Sequence, residues 1–233
     1  MNTVKAGAKY VGEGTTEHGI RFTEVTVAAV GKGEDIKLRV LSTKAGGDAL
    51  GSCSKGANLI IVGRLYRNRA VQSDYNYYVV PTQRIEVVPC PVPLNTVTIA
   101  GAYWLNDNDK KLNQDDQRHT FTMLTSAPAN QLLNHEYDDT LSFSITSWSY
   151  DAQRILQTAH TGRQMIIEGY LRSYTPAGKD TGYISINVRS GIVEMFGSKE
   201  KKKENKIDNK SDSASKVVIQ GETKAEEEEK LPI

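Results

Sequence analysis

Asn58-Leu59-Ile60-Ile61-Val62-Gly63-Arg64-Leu65-Tyr66-Arg67 is echoed later in this chain by Gln164-Met165-Ile166-Ile167-Glu168-Gly169-Tyr170-Leu171-Arg172. The first residues also return, because Asn2-Thr3-Val4-Lys5-Ala6-Gly7-Ala8 is echoed by Asn95-Thr96-Val97-Thr98-Ile99-Ala100-Gly101-Ala102. The offset between the copies grows from 93 to 106 residues, so the second copy carries about a dozen inserted residues. A repeat of this size exceeds the roughly 20–50 residues of solenoid units and predicts two small domains.

Each copy consists of short alternating runs of apolar and polar residues separated by turns, which is typical of β-strands. The pattern predicts strands over residues 3–11, 20–30, 35–42, 59–68 and 77–88, and again over 96–105, 118–125, 140–148, 163–174 and 183–196. Ile155, Leu156 and Ala159 share one helical face and predict a helix over residues 150–161. Five strands with a helix between the third and fourth indicate an OB-fold, a partly open five-stranded Greek-key barrel.

The predicted fold class is therefore all-β, with two tandem OB-folds, each with a short helix between strands three and four. We place the first over residues 1–88 and the second over residues 95–197. Between them, residues 89–94 hold Pro89, Pro91 and Pro93, which predict a short, stiff linker. Residues 198–233 begin as a Lys-, Glu-, Asp-, Asn- and Ser-rich segment, a composition typical of disorder.

Charge is divided unevenly, although the whole chain carries a formal charge of only +1. Residues 1–94 hold 12 basic and 8 acidic residues, whereas residues 95–197 hold 8 basic and 11 acidic residues. No apolar run approaches the roughly 20 residues of a membrane span, and no apolar leader precedes the first strand. We therefore expect a cytoplasmic, nucleoid-associated protein without membrane contact, in which Cys53 and Cys90 are structural thiols.

Enzyme motifs are missing from the sequence. His18, His119, His135 and His160 are scattered without metal-ligand spacing, and the sequence contains neither a nucleophile elbow nor a phosphate-binding loop of the Walker type. The adjacent acids at 115–116 and 138–139 are interpreted as solvated turn residues. The sequence therefore predicts a protein that is not an enzyme, with no cofactor and no metal.

The fourth strand carries the clearest binding signal. Alternation places Arg64 and Tyr66 on its outer face, and Tyr170 and Arg172 fill the same two positions in the second copy. Cations that hold phosphates and rings on which bases stack are the requirement for binding single-stranded nucleic acid. The predicted nucleic-acid-binding residues are Lys37, Arg39, Arg64, Tyr66, Arg67, Arg69, Tyr75, Tyr77, Tyr78, Tyr170, Arg172, Tyr174 and Tyr183.

Two alternatives remain open for these residues. Any single tyrosine could be a half-buried strand residue, and Trp104 and Trp148 could belong to a core or to a stacking platform.

The third strand differs in charge between the two copies. Lys37 and Arg39 of the first copy are replaced in the second by Ser142 and Ser144, and all four are expected to point outward. This replacement predicts a stronger electrostatic footprint in the first copy.

The order of these elements resembles the bacterial-type single-stranded DNA-binding proteins (SSB). The likeness rests on residues 35–41, the short helix region, the turn at 55–58 and the strand over 59–69, together with the end of the chain. That end contains Glu226, Glu227, Glu228 and Glu229 followed by Leu231, Pro232 and Ile233, which is similar to the family's acidic docking tip. A chain with two folds resembles the tandem subclass, which implies a homodimer with four OB-folds.

The resemblance implies sequence-independent single-stranded DNA binding in replication, recombination and repair, with the tail recruiting replication and repair proteins. The alternative from the residues is an accessory or mediator protein that uses its OB-folds mainly for protein contacts, which the acidic second copy favours. A third possibility, an RNA-binding protein of the cold-shock kind, leaves the acidic tip without a purpose.

Overall fold

The computed structural model describes residues 2–16, 18–31, 33–46, 53–67, 76–105, 117–126, 140–175, 178 and 182–196. The chain divides into one compact unit, Met1–Ser198, and a second unit, Lys199–Ile233. The predicted docking residues all belong to the second unit and lie outside the described residues. Arg69 and Tyr75 also lie outside them.

Strands account for most of the described residues. The first repeat contains β1 (Asn2–Thr15), β2 (Arg21–Val27), β3 (Ile36–Leu41), β4 (Asn58–Arg67), β5 (Tyr77–Pro81) and β6 (Glu86–Val88). The second repeat contains β7 (Asn95–Trp104), β8 (Arg118–Ser126), β9 (Thr140–Trp148), α1 (Ser149–Thr158), β10 (Gln164–Tyr174) and β11 (Tyr183–Phe196).

Both repeats close into barrels with the same strand order. In the first, β1-β2-β3-β5-β4 closes through the β1–β4 pairing, and in the second, β7-β8-β9-β11-β10 closes through the β10–β7 pairing. The β3–β5 and β9–β11 contacts are parallel, and the other contacts that form the two barrels are antiparallel. This order is a five-stranded Greek-key barrel, so the predicted all-β fold with two tandem OB-folds is confirmed.

Two predicted elements differ in detail from the structure. The single strand expected over 77–88 is divided, because β5 ends at Pro81 and β6 begins only at Glu86. Proline cannot donate to a ladder, which favours ending the strand there. In the second repeat, α1 ends at Thr158, three residues before the predicted end, and buries Ile155 and Ala152 completely. The corresponding part of the first repeat includes residues 47–52, which lie outside the described residues.

An asparagine holds the first strand of each barrel to its fourth strand. The Asn2 side chain donates to the Leu65 carbonyl at 2.5 Å and accepts from the Leu65 N–H at 3.1 Å. Asn95 does the same with Leu171, at 3.0 and 2.9 Å. Both asparagines are buried, so each forms a pair of hydrogen bonds sheltered from water. The repeated Asn therefore fixes the register of both barrels in the same way.

The two barrels are joined edge to edge by a β1–β7 ladder. Val4 pairs with Val97, which is its own equivalent in the repeat, and Asn2 and Ala6 pair with Ile99 and Asn95. The ladder is therefore symmetric about the Val4–Val97 pair. Away from it, the Tyr77 hydroxyl donates to the Ile184 carbonyl at 3.0 Å, which links the barrels a second time.

The linker is packed onto the first barrel. The Gly7 N–H donates to the Leu94 carbonyl at 2.7 Å, and a Cβ at Gly7 would collide with the carbonyl oxygen of Val92. Glycine at this position therefore lets the backbone of the linker approach β1 closely.

The second barrel buries a hydrogen-bonded ring cluster in its core. The Tyr103 hydroxyl lies 3.1 Å from Nε2 of His119, whose ring stacks on Phe121 at 5.4 Å. Burial raises the pKa of Tyr103 to about 12. These residues point away from the outer face described next and belong to the packing of the barrel.

Candidate nucleic-acid interface

The outer face of the second barrel is built from polar residues in register. Residues paired across strands present their side chains on the same face. Thr120 pairs with Thr146, Thr146 with Asn187, and Asn187 with Tyr170, which gives one row across four strands. Beside this row lie the pair Arg118 with Trp148, the run Trp104–Thr122–Ser144, and the pair Ser185 with Arg172.

These rows form an open groove, which we call the second-repeat groove. Its volume is about 420 Å³. Five hydroxyls or amides, two arginines and two aromatic rings line it: Arg118, Thr120, Ser144, Thr146, Trp148, Arg172, Tyr174, Ser185 and Asn187. Small side chains make the floor and leave the space open, while the large ones stand at its rim.

Cations and rings lie side by side at this rim. The Arg118 guanidinium carbon is 5.8 Å from the centre of the Trp148 ring. Tyr174 stacks on Tyr183 with ring centres 5.9 Å apart and an interplanar angle of 28°. Tyr174, which lines the groove, is 48% exposed, and Trp104, which lies outside the groove lining, is 46% exposed. The groove therefore combines phosphate-binding charge with flat surfaces open to solvent.

The same face of the first barrel is filled instead. At the positions of Thr122, Ser144, Ser185 and Arg172 the first repeat has Glu24, Arg39, Tyr78 and Tyr66. Arg39 lies 4.3 Å from the centre of the Phe22 ring, donates to the Tyr78 hydroxyl at 3.1 Å, and forms an ion pair with Glu24 at 3.4 Å. Large side chains thus occupy the volume that the second repeat leaves open.

The predicted site residues fall into distinct groups. In the second repeat, Arg172 and Tyr174 line the groove, Tyr183 stacks beside it, and Tyr170 is half-buried at its edge. In the first repeat, Arg64 is exposed, whereas Lys37, Arg39 and Arg67 are half-buried.

The predicted first-repeat tyrosines that the structure describes are buried. Tyr66, Tyr77 and Tyr78 are 1%, 1% and 2% exposed. Tyr66 lies on the outer face that alternation predicted, where it pairs with Tyr78, but the accessibility expected for it is wrong, because large side chains cover the outer face of the barrel at this point. Ser142, also expected to point outward, is only 4% exposed. The rings of Tyr66, Tyr77 and Tyr78 are therefore not open for base stacking.

Several groove residues were absent from the predicted set, namely Arg118, Thr120, Ser144, Thr146, Trp148, Ser185 and Asn187. Their signal in the sequence is the alternation Ser144-x-Thr146-x-Trp148, which places two hydroxyls and a ring on one face of β9. Arg118-x-Thr120 adds the same alternation at the start of β8. Hydroxyl residues on a strand face have the same pattern as ordinary surface residues. Charge and tyrosine content therefore favoured the first repeat as the stronger binding site.

The described residues contain no cluster of three or more His, Cys, Asp and Glu that could hold a metal ion. The one helix among these residues is too short and too polar to cross a membrane.

Comparison with solved structures places this fold among known proteins. No family model matches the sequence, and no curated protein matches it. The single-stranded DNA-binding protein of Thermus aquaticus is similar over 85% of this chain and 94% of its own, with a TM-score of 0.53 and 12% identity. A deletion variant of that protein gives a TM-score of 0.52 and 14% identity, over 88% of this chain and 98% of its own. The chain therefore shares its fold with the single-stranded DNA-binding protein of Thermus aquaticus.

Proposed function

We propose that this protein binds single-stranded DNA across the outer face of its second barrel, with little overall sequence preference. The observation that carries the proposal is the second-repeat groove, in which Arg118 and Arg172 stand beside Trp148 and Tyr174. Guanidinium groups hold phosphates, and rings stack on bases whatever their sequence. The shared fold with single-stranded DNA-binding proteins supports the same function.

The first repeat contributes charge to this proposal. Arg64 is exposed, and Lys37 and Arg67 are half-buried cations on the same barrel. We propose that they extend the electrostatic track for the DNA backbone. Arg39 contributes less, because Glu24 already neutralises it.

The wider role is also part of the proposal. The protein would protect single strands in replication, recombination and repair, and assemble as a homodimer with four barrels. The acidic tip, Glu226 to Glu229 with Leu231, Pro232 and Ile233, would recruit partner proteins. The filled outer face of the first barrel favours a second candidate, a mediator whose barrels bind mainly proteins.

The test is a titration with fluorescent single-stranded and duplex DNA at several salt concentrations. We expect tight, salt-sensitive binding to the single strand alone. Exchanging Arg118 and Arg172 for Gln should lower the log–log salt slope by about 1.4, because each phosphate neutralised on a single strand contributes about 0.7.

A matched control removes two exposed cations away from the groove, Lys44→Gln with Arg84→Gln. This variant should keep the wild-type slope. An equal loss of slope in the control would mean that the groove is not the site. Equal or negligible binding to both kinds of DNA would overturn the coating function and favour the mediator.

A further inference from the structure

We propose that the second-repeat groove holds one nucleotide of the bound strand and reads the hydrogen-bonding edge of its base. This inference rests on the proposed function and adds to it a preference at one position of the strand. The floor of the groove carries hydroxyls and an amide. Stacking alone requires only aromatic rings, so these polar groups need a separate explanation.

The floor is buried and partly pre-oriented. Asn187 is 2% exposed, and its Oδ1 accepts from the Ser185 hydroxyl at 3.3 Å. Its Nδ2 lies 3.5 Å from the Tyr170 hydroxyl, to which it donates. These contacts favour one orientation of the amide, with Oδ1 toward the Ser185 hydroxyl and Nδ2 toward the Tyr170 hydroxyl. Thr146, 8% exposed, adds a hydroxyl next to this amide.

Buried polar groups of this kind favour a ligand with matching polar atoms. A base that offers matching donors and acceptors satisfies them, whereas a base with the wrong edge leaves them unpaired. Asparagine and serine side chains are suited to this recognition, since each can donate and accept. Unstacked bases of a single strand expose the edges that such side chains read.

The size and rim of the groove fit one nucleotide. A volume of about 420 Å³ lies at the small end of ligand sites, which span roughly 300–1,000 Å³. Trp148 and Tyr174 at the rim offer faces for the base, and Arg118 and Arg172 offer charge for the flanking phosphates. The first repeat has no equivalent floor, because Leu41 and Val80 replace Thr146 and Asn187 there.

The experiment compares a floor variant with the wild-type protein on different bases. Thr146→Val with Ser185→Ala removes two floor hydroxyls and leaves both rim arginines in place. Affinities for short oligo-dT, oligo-dC and oligo-dA are measured by fluorescence anisotropy at one salt concentration. The cost of unstacking oligo-dA is the same for both proteins, so it cancels when their affinity ratios are compared.

We expect the ratio of best-bound to worst-bound base to change by about two- to tenfold in the variant, the net effect of about one hydrogen bond. A separate oligo-dT titration at several salt concentrations should give the same salt slope for the variant and the wild-type protein, because both rim arginines remain. Thr15→Val, which removes an exposed hydroxyl at the end of β1, should leave every ratio unaltered.

An equal loss of affinity for all three oligonucleotides, or no loss, would overturn base reading while the DNA-coating function stands. A wild-type protein that binds none of them would overturn both. Should the double variant fail to fold by circular dichroism, Ser144→Ala at the half-buried edge of the floor gives the same comparison.

Discussion

Differences in side-chain size between equivalent positions separate the filled face of the first barrel from the open face of the second. Glu24, Arg39, Tyr78 and Tyr66 in the first repeat correspond to Thr122, Ser144, Ser185 and Arg172 in the second. The first set is large and internally neutralised, with Tyr66 and Tyr78 buried. The second set is mostly small and polar. Residue volume on one sheet face, more than net charge, therefore separates the two copies.

Trp148 tests the stacking surface at the scale of a single residue. Trp148→Ala should weaken single-stranded DNA binding by about 1–3 kcal/mol, the range for one stacked base. The matched control is Tyr150→Ala, which removes a ring that is 70% exposed but lies on α1 outside the groove. Fluorescence anisotropy titration measures both. If Tyr150→Ala costs as much as Trp148→Ala, stacking is not confined to the groove.

At the scale of elements, the sequence predicted the fold well because its signals are local and repeated. The echo of Asn2 and Asn95 marks the two first strands, and both side chains bond the same position of the fourth strand. The apolar alternation of β4 and β10 predicted their inner faces. Both inner faces are buried at Leu65 and Leu171.

The binding face was harder to predict for a physical reason. Alternation tells which side of a strand a residue occupies, but not whether that side is covered. Tyr66 shows this limit of alternation. It is buried although it faces outward, because the first barrel packs large side chains on both faces of β4. The sequence leaves open whether Trp148 belongs to a core or to a stacking platform. The residue that lies against its ring, Arg118, is 30 positions away in the sequence, and strand alternation does not reveal that contact.

The linker offers a prediction about an element. Gly7→Ala should destabilise the protein by about 1–3 kcal/mol, because the new methyl group must displace the Val92 carbonyl from β1. Gly12→Ala in the same strand is the control, since a Cβ there meets nothing within 4 Å. Its effect should stay within about 0.5 kcal/mol.

Urea denaturation of both glycine variants measures their free energies of unfolding. Equal values for the two would show that the close approach of the linker contributes nothing to stability.

At the scale of the molecule, the two barrels should unfold together. They share the β1–β7 ladder and the Tyr77–Ile184 hydrogen bond, so loss of one barrel exposes the edge of the other. Both tryptophans lie in the second repeat, whereas far-ultraviolet circular dichroism reports strands of both. The two signals should give coincident transitions in urea. A tryptophan transition at a clearly different urea concentration would mean that the barrels unfold independently.

The ladder centred on Val4 and Val97 has the geometry that two identical subunits adopt about a twofold axis. In a dimer of identical chains, every substitution in one binding face appears in both faces. Here each half has its own codons, so one face can change while the other is kept. A single polypeptide thereby gains freedom for its halves to diverge, and the filled first face beside the open second one is a divergence that identical subunits could not encode.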